Sequence, residues 1–293
     1  MHKFYKAIDF LFSNFLKIAC AVTLTLLMLI IFFISKESIL FFKEYSFIKF
    51  VTSNDWSPLR KVPSFGILSM ICSTLYVSLV ALCIALPLGI GTSLITSCVV
   101  KKKFHKYILP IFNLLAGIPS VIYGFWGLLV IVKFFEAKLN FSTGESIFVG
   151  GVVLAMMILP YIISTCHESM IKIKANHEES SSALGIHKWY MMKNLILPSA
   201  KISIFSSSIL ALSRAIGETM AVMMVIGNSP IMPKLFSRGE TLSGLIALEM
   251  GGAEIGSAHY HALYAAGFVL IIMLLLINLF FAIAKKFIEK RYL

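Results

Sequence analysis

The chain has 293 residues, of which 58% are hydrophobic and only 14% are charged, and its formal net charge is +12. Soluble domains are about 45–50% apolar and about 25% charged, so this composition excludes an ordinary soluble protein and predicts an all-α membrane protein. The positive charge does not indicate a nucleic-acid partner. Lys and Arg cluster beside the ends of apolar runs, where they orient a chain in the membrane.

Six apolar runs have about the length that crosses a bilayer. They lie at about 18–34, 68–97, 108–132, 147–166, 202–226 and 262–284. No small-residue cleavage site follows the first run, which indicates an uncleaved helix rather than a signal peptide. Pro87 predicts a kink, or a turn outside the membrane, in the second run. The first run also looks separable, which predicts an N-terminal unit over 1–67, a main membrane domain over 68–284 and a basic tail over 285–293.

The positive charges predict how the six spans are oriented. The short loop at 98–107 is rich in lysine, and so are the 167–201 loop and the C-terminal tail. Because Lys and Arg favour the cytoplasmic side of short loops, we expect these segments and both termini in the cytoplasm. In the outside segment at 35–67, the stretch from Ser35 to Pro63 mixes Phe and Ile with Lys and Glu, a pattern that would suit an amphipathic helix at the membrane interface.

The third run contains four residues that predict an unusual helix, namely Gly117, Pro119, Gly124 and Gly127. Proline interrupts the hydrogen bonds of a helix, and broken helices line many transport sites. Small residues equally allow two helices to pack closely. The sequence leaves both interpretations open.

The loop between the fourth and fifth runs predicts two short helices joined at a glycine. Asn176 can cap a helix that has Glu179 at its N3 position, and Gly185 suits a helix end followed by a turn. Trp189 lies in the second short helix, and Pro198 opens the next span. Such a compact unit can bind in a groove on another protein, although an ordinary capped loop would explain the capping alone.

Arg214 lies about 18 Å along the fifth run, near the predicted bilayer midplane. A lone Arg there costs at least about 2.5–3.5 kcal/mol. Glu218 follows at i+4, so we expect the two side chains to pair on one helix face. Guanidinium suits a tetrahedral oxyanion, so we expect an anion pathway here, with Ser213 and Thr219 as polar neighbours and Gly217 allowing close backbone approach. The alternative is an ion pair that only holds helices or a partner subunit together.

No catalytic motif accompanies these features. The sequence has no Gly-Lys pair of a P-loop, no HExxH and no GxSxG, so we expect neither ATP hydrolysis nor covalent catalysis by this chain and no bound cofactor. His259 and His261, with Glu254 nearby, would allow a zinc site. A third strong ligand is not evident, and polar residues at the membrane interface explain these side chains better, so no metal is expected.

The loop spacing resembles the signature loop of type I ABC importer permeases, through Glu179, Gly185, Leu195, Leu197 and Pro198. Two membrane segments are similar to the PstC family of phosphate-importer permeases: GIPSVIYGFWGL at 117–128 and SRAIGETMAV at 213–222. Residues 54–58 and 241–250 also resemble that family, so the likeness covers nearly the whole chain. The sister PstA family shares the Arg-Ala-x-Gly-Glu-Thr core, but the Met-Ala-Val that follows it here favours PstC.

The resemblance implies a six-helix permease, with the five-helix type I core and one added N-terminal helix, in the bacterial cytoplasmic membrane. It implies a transport subunit rather than an enzyme, with ATP bound by a partner. The implied partners are a second homologous permease, a dimer of ATPase subunits, a phosphate-binding protein and membrane lipid, with no nucleic acid. A permease for another oxyanion, such as sulfate or molybdate, and the sister phosphate permease remain open alternatives.

The resemblance also implies roles for single residues. Arg214 and Glu218 match the family's polar pair in the membrane. The contact with the ATPase would be made by the residues that match the family's coupling loop, which are Glu179, Ala183, Gly185, Leu197 and Pro198. Ser180 and Ser181 stand where the family usually has two alanines, and they are still small residues.

Overall fold

A computed structural model describes residues 2–139 and 143–292, and most of them are helical. In chain order the α-helices are α1 (His2–Glu44), α2 (Phe47–Thr52), α3 (Leu68–Cys98), α4 (Lys102–Gly117), α5 (Ser120–Trp126), α6 (Lys133–Leu139), α7 (Ile147–Ala183), α8 (Lys188–Met191), α9 (Leu197–Ser199), α10 (Lys201–Ile216), α11 (Met220–Ile226), α12 (Leu242–Glu249) and α13 (Ala258–Tyr292). Two π-helical segments, Gly127–Val132 and Met192–Ile196, join neighbouring α-helices. The strands β1 (Trp56–Ser57) and β2 (Ser64–Phe65) pair antiparallel.

The predicted all-α membrane fold is confirmed. Within the described residues, five helices are long and apolar enough to cross a membrane. A sixth span results if the pair Lys188–Ser199 and Lys201–Ile216, bent by 61°, is counted as one. Helix α10, the second half of this pair, starts where the sequence placed the fifth run, but it ends at Ile216, and the predicted end at 226 is the end of the separate helix α11.

Several other span boundaries differ from the prediction. The first candidate span continues to Glu44 and the fourth to Ala183, beyond the predicted ends at 34 and 166. The third begins at Ser120, because the chain breaks just before that residue. Helix α3 passes through Pro87 without ending, so the predicted turn outside the membrane is wrong. Proline removes one backbone hydrogen bond, and the long packing contact of α3 with α7 keeps the helix continuous on both sides of it.

The packing of α3 against α7 forms the centre of the molecule. Ile147, Leu154, Ile158 and Ile162 of α7 are fully buried there. Ser93 Oγ on α3 donates to the carbonyl of Ile163 at 3.1 Å, which satisfies a polar group inside an apolar contact. Because lipid tails are as apolar as these side chains, the hydrophobic effect does not drive the helices together. Close packing and interhelical hydrogen bonds hold them instead.

The N-terminal helix α1 is packed mainly at its C-terminal end. Phe41 is buried, with its ring centroid 5.0 Å from that of Phe50 and 5.4 Å from that of Phe65. From Phe12 to that point, most apolar side chains of α1 are exposed in the isolated chain. The segment at 35–67 therefore consists of the end of α1, the short α2 and the β1–β2 pair, and only the six-residue α2 corresponds to the expected interfacial helix.

Candidate functional site

Two helices, α4 and α10, end at breaks in the chain, and Tyr161 contacts both ends. Helices α4 and α10 each have 16 residues and stop inside the apolar part of the chain. The chain leaves α4 at Ile118–Pro119 and resumes as α5, because Pro119 has no backbone N–H to continue the helix. The second break spans 217–219, between α10 and α11.

Arg214 lies in the last turn of α10, with an exposed side chain. Its guanidinium carbon lies 4.3 Å from the centre of the Tyr161 ring, within the range of a cation–π contact. A positive charge is favoured at the C-terminal end of a helix by the aligned peptide dipoles. Among the described residues, no carboxylate forms an ion pair with Arg214.

The predicted pairing of Arg214 with Glu218 is wrong. Pairing at i+4 needs a continuous helix, and α10 ends at Ile216. A Glu218 carboxylate oxygen instead accepts from the backbone N–H of Ala221 at 3.2 Å, at the start of α11, where a negative charge is favourable. The carbonyl of Glu218 accepts from Ser243 Oγ at 3.1 Å, which ties the break to α12. Each charge therefore complements a different helix end.

The other two residues predicted for the pathway lie beside the break but point to different neighbours. Ser213 Oγ donates to Asn278 Oδ1 on α13 at 2.8 Å. Thr219 precedes the first residue of α11, and its carbonyl accepts from the backbone N–H of Met223 at 2.9 Å. Ser213 thus connects α10 to α13, and Thr219 belongs to the start of α11.

Tyr161 connects the two broken helices, and sequence reasoning missed it. The guanidinium of Arg214 stacks on its ring, and its hydroxyl donates to the carbonyl of Ala116 near the end of α4 at 3.2 Å. Tyr123 donates to the neighbouring carbonyl of Leu115 at 2.8 Å. The last carbonyls of a helix lack the partner that a further turn would supply, so the Tyr161 hydroxyl satisfies the carbonyl of Ala116, and the Tyr123 hydroxyl adds to the bond that Leu115 already accepts from the N–H of Ile118. The only sequence signal for Tyr161 is a polar aromatic residue after a proline inside an apolar run.

The glycines of the third run serve both purposes that the sequence left open. A side chain at Gly124 would place Cβ 2.9 Å from Ala221 Cα, and one at Gly127 would place it 2.5 Å from Val153 Cγ2. These two glycines therefore allow α5 and the segment after it to pack against α11 and α7. Gly117 has no such neighbour within 4 Å and lies exposed at the end of α4, so it belongs to the break.

A second candidate site is the knob, which we define as residues 180–199. Helix α7 continues to Ala183, so the predicted helix start at Asn176 is wrong. Asn176 and Glu179 lie inside α7, since no glycine or proline interrupts the chain there. The predicted turn at Gly185 is confirmed, with φ of +66°, and the backbone N–H groups of Gly185 and Ile186 return to the carbonyls of Ser182 and Ser181.

The knob combines an anchored side with an exposed side. His187 Nδ1 accepts from the backbone N–H of Trp189 and starts α8, which confirms the predicted second helix. Met191, Met192 and Ile196 are buried against the bundle, and Pro198 lies at the start of the short α9. The exposed side chains include Leu184, Trp189 and Tyr190, together with Glu179 and Ala183 at the end of α7.

The end of the molecule opposite the knob holds a group of polar contacts. Glu249 contacts His259 Nε2 at 2.7 Å and accepts from Trp56 Nε1, and a carboxylate oxygen of Glu37 lies 2.9 Å from His261 Nδ1. The predicted pair of histidines therefore contacts two separate carboxylates. In the part of the chain that the structure describes, no group of three His, Cys, Asp or Glu could hold a metal ion.

Glu240 lies nearby in the loop before α12 and is only 5% exposed. Burial, assisted by the negative charge of Glu249, raises the pKa of this carboxyl to about 7. Asp55, in the loop before β1, shows the opposite effect. Hydrogen bonds from Ser64 and Ser57 hold the pKa of Asp55 below its ordinary value.

Comparisons with known proteins agree with this architecture. Residues 85–293 match the family of the binding-protein-dependent transport system inner membrane component. The chain is 36% identical over 227 residues to the probable ABC transporter permease protein YqgH of Bacillus subtilis (strain 168), covering 77% of this chain and 74% of the relative. It is 35% identical over 246 residues to the phosphate transport system permease protein PstC of Xylella fastidiosa (strain Temecula1), covering 77% and 75%.

One solved structure supports the fold alone. A chain of the MetNI methionine ABC transporter, described as inward facing, aligns with a TM-score of 0.55 and 18% identity. The alignment covers 75% of this chain and 93% of that one. The helical arrangement is thus shared at an identity too low to carry any residue's role.

Proposed function

The chain belongs to the binding-protein-dependent transport system inner membrane component family, and we propose that it is the permease subunit through which a phosphate ABC importer moves its anion. Membership makes it a transport subunit rather than an enzyme. The substrate is inferred from the phosphate permeases to which it is 34–35% identical. The observation that carries the proposal is Arg214, an exposed cation without a carboxylate partner among the described residues, at the end of α10 within an apolar stretch of the chain.

The chemistry of Arg214 suits a phosphate ion. Guanidinium stays charged at every physiological pH and offers N–H donors in a plane that matches two oxygens of a tetrahedral oxyanion. The surface around it is open in the isolated chain, with Gly217 also exposed. A second permease packed on this surface would enclose the anion and exclude water. We place Ser213, Glu218 and Thr219 beside this pathway, as residues that hold the helix ends in position.

The knob would transmit the energy of ATP hydrolysis. Its exposed Leu184, Trp189 and Tyr190 suit a groove on an ATPase subunit, and the buried Met191 and Met192 fix it to the bundle. We assign this contact to Glu179, Ala183, Gly185, Leu197 and Pro198. Two ATPase subunits would bind below this permease and a second, homologous one, and a phosphate-binding protein would deliver the anion at the opposite face.

The transport cycle then follows from the two sites. ATP binding draws the two ATPase subunits together, and their grooves pull the knobs of both permeases. The permeases rock from inward-open to outward-open and accept phosphate from the binding protein. Phosphate passes Arg214, and hydrolysis resets the pair. This cycle requires both ends of the chain and the knob to lie in the cytoplasm, which is the orientation that the lysine distribution predicts.

Uptake of labelled phosphate tests the proposal. Cells lacking this chain are supplied with the unaltered chain, with Arg214→Ala, or with Arg60→Ala as a control that removes an exposed Arg from an ion pair with Asp55. We expect uptake at low external phosphate from the unaltered chain and from Arg60→Ala, but not from Arg214→Ala. Excess sulfate or molybdate should not compete. Competition by either anion would mean that the competing oxyanion is a substrate of the importer. Normal uptake by Arg214→Ala would refute the role of this Arg.

A further inference from the structure

We propose that Tyr161 is the positioning residue that holds Arg214 ready for the anion and links it to the broken end of α4. This inference rests on the proposed function, because it gives Tyr161 a part in binding the transported oxyanion. It starts from the contact between the Tyr161 ring and the guanidinium, and from the hydroxyl contact with Ala116.

The way in which Arg214 is held matters for its chemistry. A guanidinium has two faces and an edge, and its N–H donors all lie along the edge. The Tyr161 ring occupies one face, with its centre 4.3 Å from the guanidinium carbon. A carboxylate partner would take the edge and cancel the charge. Stacking therefore fixes the direction of the side chain and leaves the donors and the positive charge available to an anion.

Tyr161 is itself held from both sides. Its backbone belongs to α7, where the neighbouring Ile158 and Ile162 are fully buried. At the other end of the side chain, the hydroxyl donates to the carbonyl of Ala116 on α4 at 3.2 Å. A tyrosine has only two side-chain torsions, so these contacts fix the ring before Arg214 stacks on it.

The hydroxyl contact also makes the position of Arg214 depend on α4. Tyr161 is contributed by α7, Arg214 by the end of α10, and Ala116 by the end of α4. The ring is thus the common neighbour of two helices that both end at a break in the chain. When α4 and α10 shift against each other during transport, this contact changes together with the position of the guanidinium.

Tyr123 provides a control within the same structure. It also donates its hydroxyl to a carbonyl at the end of α4, that of Leu115 at 2.8 Å, but its ring is not the one on which Arg214 stacks. Tyr123→Phe and Tyr161→Phe each remove one hydroxyl that caps α4. Tyr161→Leu removes the stacking face as well. The three variants separate capping of the helix from positioning of the arginine.

The experiment measures KM and maximal rate of phosphate uptake by the full transporter, in cells that express each variant to the same level. For Tyr161→Leu we expect KM to rise about tenfold, because the guanidinium is no longer directed, with ATPase subunits still bound to the purified complex. For Tyr161→Phe we expect KM within about twofold of the unaltered chain, and a maximal rate reduced to the same extent as in Tyr123→Phe. Tyr161→Trp, which retains a stacking face, should restore most of the affinity that Tyr161→Leu loses.

Two results would overturn the inference. One is an unchanged KM in Tyr161→Leu, and the other is a KM in Tyr161→Phe as high as in Tyr161→Leu. If Tyr161→Leu does not assemble, Tyr161→Met takes its place, because it also lacks the aromatic face, and an unchanged KM in that variant would overturn the inference. Absence of phosphate uptake by the unaltered chain is a different outcome, which refutes the proposed function itself.

Discussion

We call the ends of α4 and α10, together with Tyr161, the break site. The knob and the break site are both interruptions between helices. They differ in how far apart along the chain the residues lie whose contacts stabilise them. At the knob, Gly185 and Ile186 return hydrogen bonds to carbonyls three and five residues earlier. At the break site, Tyr161 bonds a carbonyl 45 residues away and stacks under an arginine from a third helix. The knob is thus closed by its own backbone, whereas the break site is closed by the surrounding bundle.

This difference suits the two proposed tasks. A turn closed by its own backbone keeps its shape while the helices around it move, and so presents the same surface to a partner throughout a cycle. A site closed by side chains from three helices changes whenever those helices shift. The first property is needed to receive a force, and the second to respond to it.

The largest expected effect breaks the knob. Gly185→Asp puts a charged side chain at φ of +66°, a backbone conformation that favours glycine, on the surface proposed to bind the ATPase. We expect phosphate uptake to fall to background while the complex still assembles, as shown by co-purification of the ATPase subunits.

Gly256→Asp is the matched control for this change. Gly256 has φ of +83° and, like Gly185, has no atom within 4 Å of an added Cβ, but it lies in the loop before α13. Its substitution causes a similar backbone strain and adds the same charge, and we expect uptake to be retained. Equal loss of uptake in both variants would show that strain, rather than the knob surface, is responsible.

The next effect tests the close packing of α5 on α11, the two helices that follow the breaks. Gly124→Leu forces a side chain against the backbone of Ala221, 2.9 Å from the new Cβ, and should destabilise the chain by about 1–3 kcal/mol. Gly117→Leu, with open space around it, should have little effect on stability. Thermal unfolding of the two purified variants in one detergent compares them. Equal melting temperatures would mean that α5 and α11 are not in close contact.

A third effect concerns the pH dependence of stability and comes from the buried Glu240, at the end of the molecule opposite the knob. Its folded-state pKa of about 7 lies above the ordinary value of 4.5, so the folded chain holds a proton that the unfolded chain releases. Stability should therefore fall as pH rises from about 4.5 to about 7, by on the order of 3 kcal/mol. Glu240→Gln should remove this loss and unfold at a higher temperature than the unaltered chain at pH 8. The exposed Glu254→Gln is the control, and an equal pH dependence in Glu240→Gln would contradict the assignment.

The smallest effect sharpens the correction at Glu218. Because Glu218 bonds the backbone N–H of Ala221 rather than Arg214, glutamine can take its place with an amide oxygen as acceptor. We expect phosphate uptake by Glu218→Gln to stay within about threefold of the unaltered chain. A loss as complete as the one expected for Arg214→Ala would restore the paired arrangement that i+4 spacing suggested.

The sequence predicted the parts of the chain whose structure is decided locally. The turn at Gly185, the short helix at Trp189 and the interruption at Pro119 follow from the conformational limits of glycine and proline, and each is found in the structure. The predicted helix start at Asn176 was wrong for a related reason. A residue that can cap a helix does so only where the preceding helix has ended, and α7 had not.

The contacts of the break site could not be obtained from spacing along the chain. The i+4 rule assumed that one helix carries both Arg214 and Glu218, whereas Gly217 ends it between them. The actual neighbour of Arg214 comes from a helix that passes the break 53 positions earlier in the sequence, and nothing local marks Tyr161. Such contacts depend on which helix faces lie together, and packing decides that.

Helix α7 connects the break site to the knob, because it is one continuous helix that carries residues of both. Tyr161 lies 22 positions before the end of α7 in the knob, so about 33 Å of helix separate Tyr161 from that end. Between Tyr161 and the knob, Lys174 Nζ lies 3.4 Å from the carbonyl of Ser97 at the end of α3, so α7 contacts α3 there. If a partner tilts the knob, as proposed above, α7 would carry that tilt to Tyr161 and so change the position of Arg214.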